Sequence, residues 1–482
     1  MGHDTGRQRG DLLRLLRDYT IVVMADKTTI GALATAPAPA GIAVVRISGP
    51  ATKKALRNLF RGKKDPVANP RLLVFGDLVD FKSGDIIDQA LAVYMPAPFS
   101  YTGEDVGEFQ FHGSPLLVQK ILRSLFASGV LPAEPGEFTK RAFLNGKLDL
   151  VQAEAIADLI NASSENALKI AGEQLEGRFS SSINSIGEPL RDTLAELEAS
   201  IDFPEEDIDE VKLSNTKHVI AKTISEIDAL LQSYSFGQVV KEGFRVLLCG
   251  PPNAGKSSIL NRILGRERAI VTEVSGTTRD LIEESATLGG YNFIFCDSAG
   301  IRETSDSVEK IGIELALDRL EWADLVILVA DASDEARQWE HVLPLLKGAA
   351  KKIWMVTNKI DLNPSAIGSI FCDSSTCQQN FYISARTLAG FESLTQALID
   401  EVAHSLPSQS EASSVVTNER HRSLLSRARA SLQRALEGCG NQPLELVSID
   451  IRTALTSLEE IVGKTYTEDI LGRIFSKFCI GK

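Results

Sequence analysis

The stretch that decides the fold is "GPPNAGKSS", residues 250–258. It fits G-x4-G-K-[ST], with the apolar run "FRVLLCG" (244–250) leading in and the helical pattern "ILNRIL" leading out. That order is strand, loop, helix. Gly250 and Gly255 let the loop wrap so that backbone N–H groups and the helix N-terminus face phosphate oxygens. Lys256 can then reach the β- and γ-phosphates, and Ser257 can ligate Mg²⁺.

Working outward, "DSAG" (297–300) follows a second apolar run, setting Asp297 near the metal and the Gly300 amide near the γ-phosphate. "NKID" (358–361) follows another run, "KKIWMVTNKID". Asp361 there can accept from the N1 and N2 donors of guanine, a pair that adenine lacks. "SAR" (384–386) supplies a loop for guanine O6. The expected nucleotide is GTP. Its contacts are expected over Asn253, Ala254, Gly255, Lys256, Ser257 and Ser258, then Asp297, Ser298, Ala299 and Gly300, then Asn358, Lys359, Asp361, Ser384 and Ala385. The oxygen-rich "TEVSGTTRD" (272–280) adds Thr272, Glu273, Val274, Ser275, Gly276, Thr277 and Thr278, with Thr278 a second Mg²⁺ ligand. Asn253 and Thr272 also read as turn formers. Beside Gly300, where Ras-like proteins hold a water-orienting glutamine, stands Ile301, which has no hydrogen-bonding group. Glu303, Asp306 and Glu309 are the acidic candidates for that role.

At 482 residues the chain predicts about three domains. From Thr28 to about Leu144, "GIAVVRIS" (41–48), "LLVFGDLV" (72–79), "QALAVYMP" (89–96) and "GEFQFHG" (107–113) read as strands. "SPLLVQKILRSLFASG" (114–129) reads as a helix capped by Ser114 before Pro115. From about Leu148 to Ser235 an Ala/Leu/Glu/Ser-rich stretch has helical spacing, broken at Pro204. Helices return after the polar linker "LPSQSEASS" (406–414). The expected class is α/β plus α: a small α/β domain (24–144), a helical domain in two parts (145–242 and 406–482), and a doubly wound Ras-like domain (243–405) inserted into it. Residues 1–23 read as an extension ahead of a natural beginning at Met24.

The net charge of −13 argues against an overall positive coat, although nucleic-acid binding needs only a local basic stripe. No window offers the ~18 apolar residues of a membrane span. The six cysteines are dispersed, with only Cys372 and Cys377 close together, a pattern suited to a reducing cytoplasm and not to zinc.

Taken together, "GIAVVRISG", "TGEDVGEFQFHG", "PGEFTKRAFLNGKLDLVQAEAIADLI", "GPPNAGKSS", "TEVSGTTRD", "DSAGIRE" and the terminal "CIGK" closely resemble the MnmE (TrmE) family of tRNA-modification GTPases, from Thr28 to Lys482. The resemblance implies an N-terminal tetrahydrofolate-binding domain (5-formyl or 5,10-methylene form), a helical domain and an inserted G domain. It implies a homodimer in the cytoplasm that, with the flavin-dependent partner MnmG, builds a carboxymethylaminomethyl group on carbon 5 of the wobble uridine of certain tRNAs. It further implies K⁺-stimulated hydrolysis on G-domain pairing, with Asn253, Thr272, Val274 and Thr277 around K⁺ and Glu309 orienting water. A fixed cation there can neutralise charge developing in the transition state. Asp306 stays a competitor on the residues alone. Folate contacts carry over onto Arg46, Glu108, Lys147 and Lys482.

Cys479 sits where a prenylation box would place it, but Gly481 and Lys482 do not fit that box. It is either a thiol near the folate that attacks the uridine, or a cysteine packed under the last helix. "ERHRSLLSRARASLQRALE" (419–437) repeats arginines at 420, 427 and 434 and at 422 and 429; the stripe is either a tRNA-phosphate contact or a solvated face. The competing function is a regulatory GTPase switch in ribosome or RNA assembly, which has no use for a folate site.

Overall fold

The computed structural model describes residues 28–202, 210–266, 283–297, 319–334, 336–346, 348, 350–368, 372–373, 376–404 and 415–482. The segment 1–23, Pro204 and the linker 406–414 lie outside these. Two compact units divide the chain, one of residues 1–157 with 465–482 and one of residues 158–464.

The first unit is built on β1 (Ile30–Leu33), β2 (Ala40–Ser48), α1 (Thr52–Leu59), β3 (Phe60–Gly62), β4 (Val74–Val79), β5 (Ile86–Met95), β6 (Val106–Gly113), α2 (Pro115–Ala127), β7 (Leu131–Pro132), α3 (Glu137–Leu144) and the start of α4 (Leu150–Ile160). Its seven strands run in the order β3-β4-β5-β6-β2-β1-β7. The four strands expected from apolar runs are all present. Ser114 stands at the N-cap of α2 with Pro115 after it, but makes no side-chain cap bond, contrary to the expectation.

Register decides what each face carries. Gly31, Ile47, Gly107 and Tyr94 form one row across the sheet. A Cβ on Gly31 would lie 2.6 Å from the Leu125 side chain of α2, and one on Gly107 would lie 3.1 Å from Leu56 of α1. Both helices therefore cover this one face, because paired residues point the same way. Ala43, Val45, Ile47, Phe109 and Phe111 fill the space beneath them. The next row, Ala32, Arg46, Glu108 and Val93, points to the opposite face. There Phe138 of α3 packs with Ile30, Ala32 and Ala133. The final helix (Glu468–Phe475) belongs to this unit, joining Leu471, Phe475 and Phe478 to Phe143 and Leu150.

In the second unit, α5 (Glu165–Leu175), α6 (Arg178–Asp202), α7 (Glu210–Gln232) and α8 (Tyr234–Glu242) precede a six-stranded sheet. That sheet comprises β8 (Phe244–Cys249), β9 (Glu283–Leu288), β10 (Tyr291–Asp297), β11 (Leu325–Asp331), β12 (Ile353–Asn358) and β13 (Gln379–Tyr382), in the order β13-β12-β11-β8-β10-β9. All pairs are parallel except β9 with β10. With α9 (Lys256–Arg266), α10 (Trp339–Leu346) and α11 (Phe391–Ala403) it forms an α/β layer whose central strands are apolar on both faces, as a covered parallel sheet requires. After it, α12 (Glu419–Gly438) and α13 (Leu444–Val462) pack on each other, and on α7 and α6 respectively.

The arginine stripe on α12 mostly faces neighbouring helices. Arg420 donates to the carbonyls of Glu460 and Ile461, capping the C-terminal turn of α13. Arg427 pairs with Glu460 and Arg434 with Asp450, both at short range (2.7 and 2.8 Å). Arg429 pairs with Asp228 of α7, and Arg422 with Glu419. Arg420, Arg427, Arg429 and Arg434 bind helix to helix, while Arg422 pairs within α12. Cys372 and Cys377 form a disulfide, which the reading of dispersed cysteines did not anticipate.

Candidate functional sites: a phosphate loop and a folate-like cluster

The loop after β8 is shaped by two glycines that nothing else could replace. Gly250 has φ +141°, and a side chain there would strike the Val329 carbonyl of β11; Gly255 has φ +95°, and a side chain would strike the Asn358 amide. Asn253 between them is left-handed (φ +62°), a conformation asparagine tolerates. Its turn-forming role is thus observed. The buried Lys256 ammonium donates to the Gly250 (2.9 Å) and Pro251 (3.1 Å) carbonyls, so it sits within the loop's curve. Ser257 at the start of α9 donates to Asp297 at the end of β10, 2.7 Å away. Two hard oxygen donors so joined suit Mg²⁺. Ala254, Gly255 and Ser258 belong to the same loop–helix junction.

The base side is assembled by Asn358. Its amide donates to the Ala254 carbonyl and its oxygen accepts from the Ala385 N–H, both at 3.0 Å, so one side chain fastens the phosphate loop to the loop after β13. Ser384 donates to one oxygen of Asp361 at 2.6 Å and also receives the Thr387 amide. A carboxylate so oriented is fixed for a planar donor pair. Lys359, left-handed at φ +65°, donates to the Asn253 carbonyl (2.7 Å) and to Asp331 (2.6 Å). Burial pushes the Asp331 carboxyl up, but the Lys359 ammonium and Ser333 donors outweigh it and hold it below its ordinary value. Asp331 and Arg262, which holds the Ala385 carbonyl at 2.9 Å, were missed in the sequence. The signal for Asp331 was present: an acid at the carboxyl end of the apolar run "DLVILVAD". Thr272, Glu273, Val274, Ser275, Gly276, Thr277, Thr278, Ser298, Ala299, Gly300, Ile301, Glu303, Asp306 and Glu309 lie outside the described residues.

The second cluster lies on the sheet face of the first unit opposite α1 and α2. Arg46 on β2 donates to Glu108 on β6 at 2.8 Å. The guanidinium carbon stands 5.4 Å from the Tyr101 ring centre and 6.0 Å from that of Phe138. Burial pushes the Tyr101 hydroxyl up, and that hydroxyl is bonded to Thr139 of α3 at 2.8 Å. The chain terminus arrives at the same place. The Lys482 carbonyl accepts from the Phe138 N–H (3.2 Å) and the Cys479 carbonyl from the Gly136 N–H (3.4 Å). Gly481 has φ +96°, and a side chain would strike the Leu33 carbonyl of β1. Lys147 reaches the Pro98 carbonyl (3.2 Å), on the loop that carries Tyr101. Arg46 and Glu108 are thus joined directly, Lys147 is bonded to the loop that carries Tyr101, and the Lys482 backbone is bonded to α3. An acid, three cations and two ring faces are groups that suit a pterin and its glutamyl carboxylates. Cys479 is exposed, not packed beneath the final helix. Tyr101 and Phe138 were missed, as was buried Arg141, which joins Glu137 (2.7 Å) to Glu104 (3.2 Å) beneath the site. Phe138 and Arg141 lie in the quoted "PGEFTKRAF", and Tyr101 stands directly before the quoted "TGEDVGEFQFHG". Among the described residues, no helix is long and apolar enough to cross a membrane, and no three His, Cys, Asp or Glu side chains gather as a metal site.

A phosphate loop after the first strand of a parallel sheet, with an oriented aspartate at its base side, defines a P-loop GTP-binding protein. The model of the GTP-binding protein TrmE N-terminus matches residues 29–147, and that of the MnmE helical domain matches residues 150–479. The tRNA modification GTPase MnmE of Natranaerobius thermophilus is 41% identical over 458 residues, covering 94% of this chain and 99% of the relative. That of Geobacter sulfurreducens is 40% identical over 455 residues with the same coverage. The G domain of the T. maritima FeoB iron transporter is 28% identical over 33% of this chain and 98% of its own, but its TM-score of 0.25 is too low to bear on the fold. The chain belongs to the tRNA modification GTPase MnmE family.

Proposed function

We propose that this protein hydrolyses GTP to drive formation of a carboxymethylaminomethyl group at carbon 5 of a tRNA wobble uridine, working as a homodimer in the cytoplasm with an MnmG-type flavoprotein and a tetrahydrofolate one-carbon donor. The observation that carries this reading is the convergence of Arg46, Glu108, Tyr101, Phe138 and the pinned terminus on one sheet face. A plain GTP switch has no use for such a cluster. Glu108 accepts from pterin N–H donors, Arg46 orients Glu108 through their 2.8 Å bond, and Lys147 and Lys482 meet the glutamyl carboxylates. Cys479, exposed beside this cluster, lines the site; a Cys479→Ser variant that binds folate and GTP but modifies nothing would make it the attacking nucleophile.

In the G domain, a domain inserted in the helical one, Ser257 and Thr278 hold Mg²⁺, which supplies charge neutralisation at the phosphates. Asn253, with Thr272, Val274 and Thr277, holds K⁺, and Glu309 orients the attacking water. Asn253 supports this: its left-handed turn and the bond from Lys359 fix its backbone beside the phosphate loop. Two measurements test the whole. A reduced folate titrated into the protein should bind, and Glu108→Gln should weaken it at least tenfold with GTP hydrolysis unchanged. GTP hydrolysis should be faster in KCl than in NaCl and rise per molecule with protein concentration. A protein that neither binds folate nor prefers K⁺ would return the chain to the switch reading.

A further inference from the structure

We propose that the outer face of α1 and α2 is an RNA-phosphate surface of this protein. The inference rests on the tRNA reading above and assigns a surface to it. Residues 51–64 contain six cations (Lys53, Lys54, Arg57, Arg61, Lys63, Lys64) and residues 114–133 contain two (Lys120, Arg123). Neither stretch contains an aspartate or a glutamate. In a chain of net charge −13 this is a local +8, six plus two.

The fold brings the two stretches to one surface. The glycine row Gly31–Gly107 shows both helices on the same sheet face, and the eight side chains belong to exposed residues. Apolar residues Ala55, Leu56, Leu59, Ile121 and Leu125 take the inward positions, so helical periodicity turns Lys53, Lys54, Arg57, Lys120 and Arg123 out; Arg61 stands on β3, and Lys63 and Lys64 follow that strand directly. Only Lys53 (Asp105, 3.1 Å) and Arg57 (Asp65, 3.0 Å) have carboxylate partners among the described residues. Arg61 donates to the Arg57 and Phe60 carbonyls and stands opposite Asp77 in the β3–β4 register, so it is set apart from the surface. This contrasts with α12, where the arginines are absorbed by carboxylates and helix ends.

A structural reason for five unpaired cations (Lys54, Lys63, Lys64, Lys120 and Arg123) is missing, since they cost self-repulsion and contribute no pairing. The 13-residue α2 is about 20 Å long, and packed helices lie about 10 Å apart. The charges are thus spread over several phosphate spacings. That distribution fits a polyanionic backbone, which is read by charge and position and not by base. It lies on the face away from Arg46 and Glu108, so grip and chemistry are separable.

The test is a Lys54→Gln/Lys63→Gln/Lys64→Gln/Lys120→Gln/Arg123→Gln variant of the full chain, titrated with labelled tRNA at several KCl concentrations. Each phosphate that the variant no longer neutralises should lower the slope of log K against log salt by about 0.7–0.9. The expected result is a slope smaller by about 2–4, affinity at least tenfold weaker at about 0.15 M KCl, and unchanged folate binding and GTP hydrolysis. In the unmodified protein, tRNA should protect Lys54 and Lys120, but not exposed Lys169, from acetylation read by mass spectrometry. A variant that binds tRNA like the parent, or binds less with an unchanged slope and no lysine protection, overturns the surface and leaves the tRNA reading intact. A parent that binds no tRNA at low salt overturns both, and binding retained for tRNA but lost for an acidic protein overturns the RNA assignment.

Discussion

Replacing Gly481 by alanine should detach the C-terminal tail, and with it Lys482, from the cluster around Arg46 and Glu108. Gly481 is at φ +96°, and its missing Cβ would fall on the Leu33 carbonyl oxygen. A non-glycine residue in this region costs roughly 1–3 kcal/mol even without a clash. Relief of the overlap requires the tail to move. That surrenders the Phe138 N–H to Lys482 bond (3.2 Å) and the longer Gly136 N–H to Cys479 bond (3.4 Å), at roughly 0.5–1.5 kcal/mol each. The sum is about 2–6 kcal/mol against the docked tail, a shift of roughly 30- to 20,000-fold in the docking equilibrium at about 1.4 kcal/mol per decade. The rest of the unit keeps its core, because residues 479–482 supply none of the buried cluster around Phe143 and Phe475. Hydrogen exchange at the Gly136 and Phe138 amides should therefore speed up, reduced-folate affinity should fall in step, and GTP hydrolysis should stay at its parental rate. Parental protection of both amides in Gly481→Ala would refute the steric reasoning. Lost protection with full folate affinity would refute the tail's part in the site.

Asp361→Asn removes a charged acceptor and leaves the Ser384 hydroxyl without its carboxylate partner. Guanine-nucleotide affinity should fall by about 2–3 kcal/mol, or roughly 30- to 150-fold, in calorimetric titration. Arg420→Ala uncaps α13 and should lower unfolding free energy by roughly 2 kcal/mol in urea melts, without altering the salt slope of tRNA binding. Asp331 has a folded-state carboxyl pKa below its ordinary value, so its contribution to stability is complete above the unfolded value near 3.9 and is lost as pH falls through the lower folded one. Acid unfolding of the G sheet should show that dependence in the parent and lose it in Asp331→Asn, as followed by Trp354 fluorescence.

The G domain was legible because its signals are local. Four of its strands, β8, β10, β11 and β12, are apolar runs, and each motif sits at a strand's carboxyl end, where a doubly wound sheet places ligands; β9 (EESATL) and β13 (QNFY) are polar and escaped. Four short runs likewise gave β2, β4, β5 and β6. Shorter elements escaped: β1 has four residues, β7 two, and α1 only eight, beneath the length at which periodicity speaks. The partners of the stripe on α12 were hidden for a different reason. Spacing shows which side chains share a face, but not that Asp450 and Glu460 of another helix will stand opposite it. The folate-like residues are scattered over positions 46 to 482, and only the family resemblance joined them. Tyr101 and Phe138 were invisible as site residues, since an aromatic in a core and one under a guanidinium look alike in sequence.

The most direct measurement is nucleoside analysis of tRNA from a bacterial strain that has lost its own relative of this protein and expresses this chain. The account predicts that the carbon-5 carboxymethylaminomethyl uridine reappears with the parent chain, and not with Asp361→Asn or Glu108→Gln. Restored GTP hydrolysis in extracts with no such nucleoside, or its full return with Glu108→Gln, would contradict it.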